Sequence, residues 1–406
     1  MLGHSPAPHP RLYDAILADH FARHRQMAFV TGPRQVGKTT LCASLIHPGR
    51  LFNWDDVDDR RIMLAGTASI AQAAGLNRLR KEPVTVGFDE LHKFPRWKSF
   101  LKGFYDSYGK ECRVVVTGSS RLDVFRRGGE SLMGRYFVYR MHPFSVGEVL
   151  RSDLPAALIR PPTQLRDAEW EALDEFGGYP EPFLKRDRRF WLRWNDSRFQ
   201  QLAKEEIREI GGVQNLAQLE AALHWLADHS GATLVFSSLA SGVHVSVDTA
   251  RRWVETLSQL HFGFLIRPWF KNVAKSLRKE PKWYLRDWSG IADPGARAET
   301  FLACHLLKTV DTWNDLGLGR FALHYLRDKQ QREVDFVVIR DGRPWFMAEA
   351  KQTETQLSPT LAYYHAQLGT KHAFQVVHSA DYVEADCFSS AKPTVVPART
   401  FLSQLI

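Results

Sequence analysis

The nine residues GPRQVGKTT, Gly32 to Thr40, constrain this chain more than any others. They fill every fixed position of G-x-x-x-x-G-K-[ST], with the apolar run MAFVT before them and TLCASLI after. A strand, a glycine-bearing loop and a helix in that order gather backbone N–H groups and the positive end of a helix around one point, a cradle for polyphosphate. Gly32, Pro33, Arg34, Gln35, Val36, Gly37, Lys38, Thr39 and Thr40 are therefore expected to bind ATP. Lys38 would reach the β- and γ-phosphates, and the Thr39 hydroxyl would ligate Mg²⁺. From residue 27 to about 150, the runs MAFVTG, LFNWDD, VTVGFDE and RVVVTGSS alternate with helical segments. Short apolar runs that end in Gly, Asp or Ser and lead into helices predict a parallel α/β sheet.

The second half of a nucleotide site follows. VTVGFDE (Val84 to Glu90) is a mostly apolar strand ending in two carboxylates. Asp89 would hold Mg²⁺ through its water shell, and Glu90 would orient and polarise the attacking water, because phosphoryl transfer rests on positioning and charge neutralisation. At the end of VVVTGSSR, Ser119 is expected to sense the γ-phosphate, with Thr117 as the alternative. Two readings stay open for Arg135 in RRGGESLMGRYF: an arginine acting on the γ-phosphate of a neighbouring subunit, or an acid-paired surface residue. Asp55 and Asp56 of FNWDD read as a loop cap rather than metal ligands. In ELHKFPRWKSFLKGFYD, Phe94, Trp97, Leu101 and Phe104 recur at helical spacing and read as a core face, with Lys93, Arg96, Lys98 and Lys102 solvated.

At 406 residues the chain is expected to form several domains. Its net charge of +9 suggests an acidic polymer as partner. Cys42, Cys112, Cys304 and Cys387 are scattered without paired spacing, which argues against a zinc site or disulfide framework. No apolar stretch approaches the ~18–20 residues of a membrane helix, so a cytoplasmic protein without a membrane partner is expected. The expected segments are an ATPase domain (1–150), a helical lid or linker (151–215), a winged-helix unit (216–287) and a C-terminal α/β domain (288–406).

Ser237 to Trp269 has the order helix, turn, helix, strand. Val247, Ala250, Val254, Leu257 and Leu260 recur at three and four, the period of a buried helix stripe, with Ser246 or Asp248 as the cap. Thr249, Arg251 and Arg252 then lie on the exposed side, where such a second helix meets the major groove. Between Arg267 and Asp287 seven Lys/Arg stand against two acids, with Trp269, Phe270, Trp283 and Tyr284 interleaved. Lys271, Lys275, Arg278, Lys279 and Lys282 are candidates for phosphate contacts on a wing.

In the last segment, Glu299 lies on the apolar face of ARAETFLACHLLKTV. A buried carboxylate without a cation costs several kcal/mol, roughly, so a cation should be near it; the alternative is an exposed first-turn position favoured by the helix dipole. The hairpin REVDFVVIRDGRPWFMAEAKQT places Met347, Glu349 and Lys351 on one face of its second strand. A three-residue loop, Asp341-Gly342-Arg343, would pair Asp335 with Glu349, whereas a two-residue turn would separate them. The paired acids would favour a divalent cation, and Lys351 would orient water or stabilise the phosphorane.

The motifs GPRQVGKTT, FNWDD, GFDELHKFPRWKSFLKGFYD, VVTGSSRLDVFRRGGESLMGRYF, FGGYPEPF and REVDFVV…AEAKQ resemble the AAA superfamily, and more narrowly prokaryotic ATPases that join an AAA module to a C-terminal domain of long-unassigned function. The helix Glu, Asp and Glu-x-Lys pattern resembles the restriction-endonuclease-like fold. The resemblance implies a P-loop parallel sheet with a helical lid, ATP and Mg²⁺ as cofactors, a homo-oligomer or ring, and a DNA-related role in genome maintenance or defence. In that reading Glu299, Asp335, Glu349 and Lys351 form a nuclease constellation, with metal on Asp335 and Glu349. The alternative is a slow nucleotide switch carrying an inactive nuclease-like recruitment domain.

Overall fold

The computed structural model describes residues 9–118, 132–202, 216–270 and 279–406. It separates into two compact units, one of residues up to His142 with Arg151–Leu154, the other of Pro143–Leu150 with Pro155–Ile406.

In the first unit, helix α1 (Leu12–Arg23) precedes β1 (Met27–Thr31), α2 (Lys38–Leu45), β2 (Leu51–Asn53), α3 (Val57–Leu64), α4 (Thr67–Ala73), β3 (Val84–Asp89), α5 (Trp97–Tyr108), β4 (Cys112–Thr117) and β5 (Tyr136–Arg140). The strands form one parallel sheet in the order β2-β3-β4-β1-β5. β1 is buried throughout, and β3 and β4 at all but one position each, as expected of a parallel sheet covered on both faces. Trp97, Leu101 and Phe104 of α5 pack into the core beside Phe29 and Phe88, confirming the core face. Asp56 caps α3, accepting from the N–H groups of Asp58 and Asp59, so FNWDD is a loop cap.

The second unit begins with α6 (Val146–Leu150), α7 (Asp167–Phe176), α8 (Pro180–Lys185), α9 (Arg188–Gln201) and α10 (Leu216–Asp228). Next come α11 (Phe236–Gly242) and α12 (Val247–Gln259), then β6 (Gly263–Pro268) and β7 (Lys282–Leu285). α13 (Pro294–Asp315), β8 (Phe321–Arg327), β9 (Glu333–Arg340), β10 (Arg343–Lys351), α14 (Pro359–Leu368), β11 (His372–Val377), β12 (Thr394–Pro397) and α15 (Ala398–Ser403) complete it. Among the described residues its seven strands run β12-β11-β10-β9-β8-β6-β7.

Two expected boundaries differ from this division. The cut at 287/288 runs through one sheet, because β6 pairs in parallel with β8 (Arg267 with His324, Pro268 with Tyr325). Compactness divides the chain after His142 rather than at 150/151, with Pro143–Leu150 in the second unit. Glu148 and Lys308, both buried, form an ion pair that joins α6 to α13, and Lys308 also donates to the Pro143 carbonyl at 2.8 Å. Charge pairing across 160 positions of sequence is invisible to a composition scan.

Candidate nucleotide site and C-terminal acidic cluster

Gly32 follows β1 with φ of 150°, and a Cβ there would lie 2.2 Å from the Met141 carbonyl oxygen. Only glycine fits. Gln35 (φ 61°) and Gly37 (φ 101°) turn the loop into the N-terminus of α2. Lys38 is buried, and its ammonium donates to the carbonyls of Gly32 (2.9 Å) and Pro33 (2.7 Å) across the mouth of the loop.

Because β4 lies between β1 and β3, three side chains converge at the carboxyl ends of the strands. Thr39 Oγ1 donates to Asp89 Oδ2 at 2.7 Å, and Thr117 Oγ1 donates to Asp89 Oδ1 at 2.5 Å. Thr117 is thus the polar residue at that strand end described by the structure; Ser119 lies outside the described residues. The hydroxyl and carboxylate oxygens in contact are hard donors of the kind Mg²⁺ takes, so the residues fit that ion. Glu90 leaves β3 in the left-handed conformation (φ 53°, ψ 25°), and its carboxylate lies 3.6 Å from His92 and 3.7 Å from Lys93. Burial, and then the neighbouring Asp89 charge, raise its pKa above the usual carboxylate range.

Two residues bear differently on this site than the sequence suggests. Arg11 is not among the candidates, yet its buried guanidinium donates to the carbonyls of Val36 and His142, each at 2.7 Å, bracing the loop from outside. No local sequence signal marks a role that depends on tertiary approach. Arg135 precedes β5, and its carbonyl accepts from Met27 N–H at the start of β1, the opposite end of the sheet from the phosphate loop. Its guanidinium grips Asp106 with two bonds of 2.8 and 3.1 Å, so within the chain it is acid-paired.

Ser237–Trp269 takes the order helix, turn, helix, strand, with Ser246 accepting from Thr249 N–H as the cap of α12. Ala250, Trp253, Val254 and Leu257 are buried, whereas Val247, expected in that stripe, is 42% exposed in the first turn. Arg251 and Arg252 are exposed and Thr249 half-buried. Of the wing candidates, Lys279 is exposed, and Lys271, Lys275 and Arg278 lie outside the described residues. Lys282 is a correction. All four residues of β7 are buried, and Trp283 and Tyr284 are fully enclosed core rings rather than stacking platforms.

Lys282 instead joins the C-terminal acids. Its Nζ lies 2.8 Å from Glu299 Oε1, 2.6 Å from Glu333 Oε1 and 3.2 Å from Asp335 Oδ1. Burial opposes its charge, but Tyr284 and these acids outweigh that and hold its pKa well above the usual lysine range. Tyr284 donates to Glu299 Oε1 at 2.7 Å. Burial first, then Asp335, push Glu299 up to about 7. On the hairpin, Glu349 and Lys351 pair at 2.9 Å on one strand face, while Asp335 Oδ2 accepts from Ala350 N–H at 2.9 Å.

The three-residue loop does not form, yet from Phe346 to Ala348 the ladder takes the register that such a loop would give. Arg340 pairs with Arg343 around a two-residue turn, Asp341-Gly342, with both residues at positive φ. That turn alone would offset the acids. A bulge between Pro344 and Phe346 shifts the ladder by one, so Val337 pairs with Met347 and Phe336 with Ala348. One further step sets Asp335 opposite Glu349.

Comparison with known proteins agrees with the first unit's geometry. Residues 24–150 match the family described as AAA domain, and residues 168–292 match a domain of unknown function, DUF8612. The first of these segments is an AAA-type P-loop ATPase module. An uncharacterized protein of Mycobacterium tuberculosis is 26% identical over 345 residues, covering 82% of this chain and 72% of that protein. Another, from Methanocaldococcus jannaschii, is 22% identical over 290 residues, covering 64% and 60%. Among solved structures, a RuvB variant of Thermotoga maritima superposes loosely, with a TM-score of 0.29 and 18% identity over 63% of this chain and 87% of its own. A Signal Transduction ATPase with Numerous Domains from Pyrococcus horikoshii does so at 0.24 and 9%, over 75% and 47%. No described helix is long and apolar enough to cross a membrane.

Proposed function

We propose that this protein is a Mg²⁺-dependent ATPase that couples ATP hydrolysis to engagement of DNA, working as a homo-oligomer. The observation that carries the catalytic half is the convergence of Thr39 and Thr117 on Asp89, with Glu90 as the next residue. Lys38 would exchange its two loop carbonyls for phosphate oxygens. Thr39 and Asp89 would hold the magnesium ion, which when bound neutralises charge on the β- and γ-phosphates. Glu90 would take hydrogen bonds from the attacking water and polarise it, which requires the ionised carboxylate.

That requirement has a sign. Because the Glu90 pKa is raised, the acid limb of kcat is expected above the ~4.3 of an ordinary glutamate, with turnover falling as pH falls through it. Glu90→Gln should lower kcat by roughly 10²–10⁴-fold and remove that limb. A limb that persists in the variant would assign it to another group.

The DNA half is supported by the exposed Arg251 and Arg252 on the second helix of a helix–turn–helix, and by the net charge of +9. Double-stranded or forked DNA should raise ATP turnover, and the effect should fall steeply with salt. Arg251→Ala and Arg252→Ala should each weaken binding evenly across sequences and reduce the salt slope by about 1 for every phosphate the arginine neutralises. ATP turnover indifferent to DNA at every salt concentration would favour a nucleotide switch instead.

A further inference from the structure

A catalytic metal on Asp335 and Glu349 does not fit the groups around it. We propose that the Lys282 ammonium is the resident cation of the C-terminal cluster, standing where Glu299 and Asp335 would otherwise share a divalent metal ion, so that the cluster holds no such metal and does not cut nucleic acid. This goes beyond the proposed function and leaves its ATPase half untouched.

An ammonium has three donors. Here two donate to Glu299 and Asp335, and the ammonium also ion-pairs with Glu333 at 2.6 Å. The side chain is only 4% exposed and is delivered by a buried strand, so it is not a mobile surface lysine that swings aside. Divalent ions sit at about 2.0–2.6 Å from carboxylate oxygens. An ion at that distance from these oxygens would crowd the ammonium in both space and charge. Several of the acid oxygens have further partners. Tyr284 shares Glu299 Oε1, the Ala350 N–H binds Asp335 Oδ2, and Lys351 holds Glu349 Oε1. Glu349 Oε2 is buried without a hydrogen-bond partner, and one oxygen is too few for a cation site. Among the described residues no three His, Cys, Asp or Glu side chains are set to hold a metal ion.

The test is Mn²⁺ binding by calorimetry to the nucleotide-free full chain, in wild type, Asp335→Asn, Lys282→Met and the Lys282→Met/Asp335→Asn double variant. Wild type and Asp335→Asn should bind Mn²⁺ identically. Lys282→Met should gain one site at least about tenfold tighter than any in wild type, absent from the double variant. If wild type binds one more ion than Asp335→Asn, or cleaves DNA with Mn²⁺ in an Asp335-dependent manner, metal displaces the lysine and the proposal fails. A folded Lys282→Met protein that gains no site also overturns it. Should Lys282→Met not fold, the comparison of wild type with Asp335→Asn decides alone. DNA-free ATP turnover of wild type, measured in parallel, keeps failure here distinct from failure of the ATPase reading.

Discussion

Lys38→Ala is expected to lower ATP turnover by about 10²–10³-fold, the cost of removing one pre-aligned charge from a transition state that spreads negative charge over three oxygens. The side chain is buried, and its ammonium is held 2.7–2.9 Å from two loop carbonyls, so it is in place before nucleotide arrives. Lys38→Arg should fail almost as completely, because a planar fork cannot replace a compact ammonium in that mouth. Phosphate release measured beside a thermal melt separates chemistry from folding. A folded Lys38→Ala protein that keeps wild-type turnover, with or without DNA, would remove the phosphate loop from the mechanism.

The largest effect on stability is expected at Lys308. Lys308→Met removes the Glu148 carboxylate's buried ion-pair partner and strips a donor from the Pro143 carbonyl. Breaking a buried pair from one side costs about 3–5 kcal/mol. For a unit of this size that is on the order of 10 °C in Tm. The Lys308→Met/Glu148→Gln double variant should recover much of the loss, since both charges of the pair are then removed together. A single variant that melts with wild type would show that α6 is not held by this pair.

The features legible in sequence are those written locally. The phosphate loop, the Asp89–Glu90 strand end and the Ser246 cap each depend on residues a few positions apart, and each stands where expected. Half-buried Glu299 does have a cation beside it, but that cation comes from a residue with a different expected role. Lys282 lies in a basic window, and net charge points to a DNA-facing wing. The better signal is the apolar run Trp283-Tyr284-Leu285 behind it, which marks a strand buried on both faces. The acid pairing across the hairpin arises by another route than the expected loop, because a bulge at Trp345 undoes the shift that the tight turn introduces. Bulges leave little trace in one sequence, since a single extra residue is absorbed in backbone geometry. Arg11 is out of reach for a related reason: its partners lie 25 and 131 positions away.

The parallel pairing of β6 with β8 bears on how the chain can be dissected. A fragment ending at Asp287 would carry α11 and α12 but lose the neighbour that covers one side of β6. The complementary fragment would bare the edge of β8. Unsatisfied strand edges of this kind recruit other chains. The two segments are better treated as one expression unit, and a pull on the β6–β7 hairpin would load the backbone hydrogen bonds of the C-terminal sheet directly, without an intervening tether.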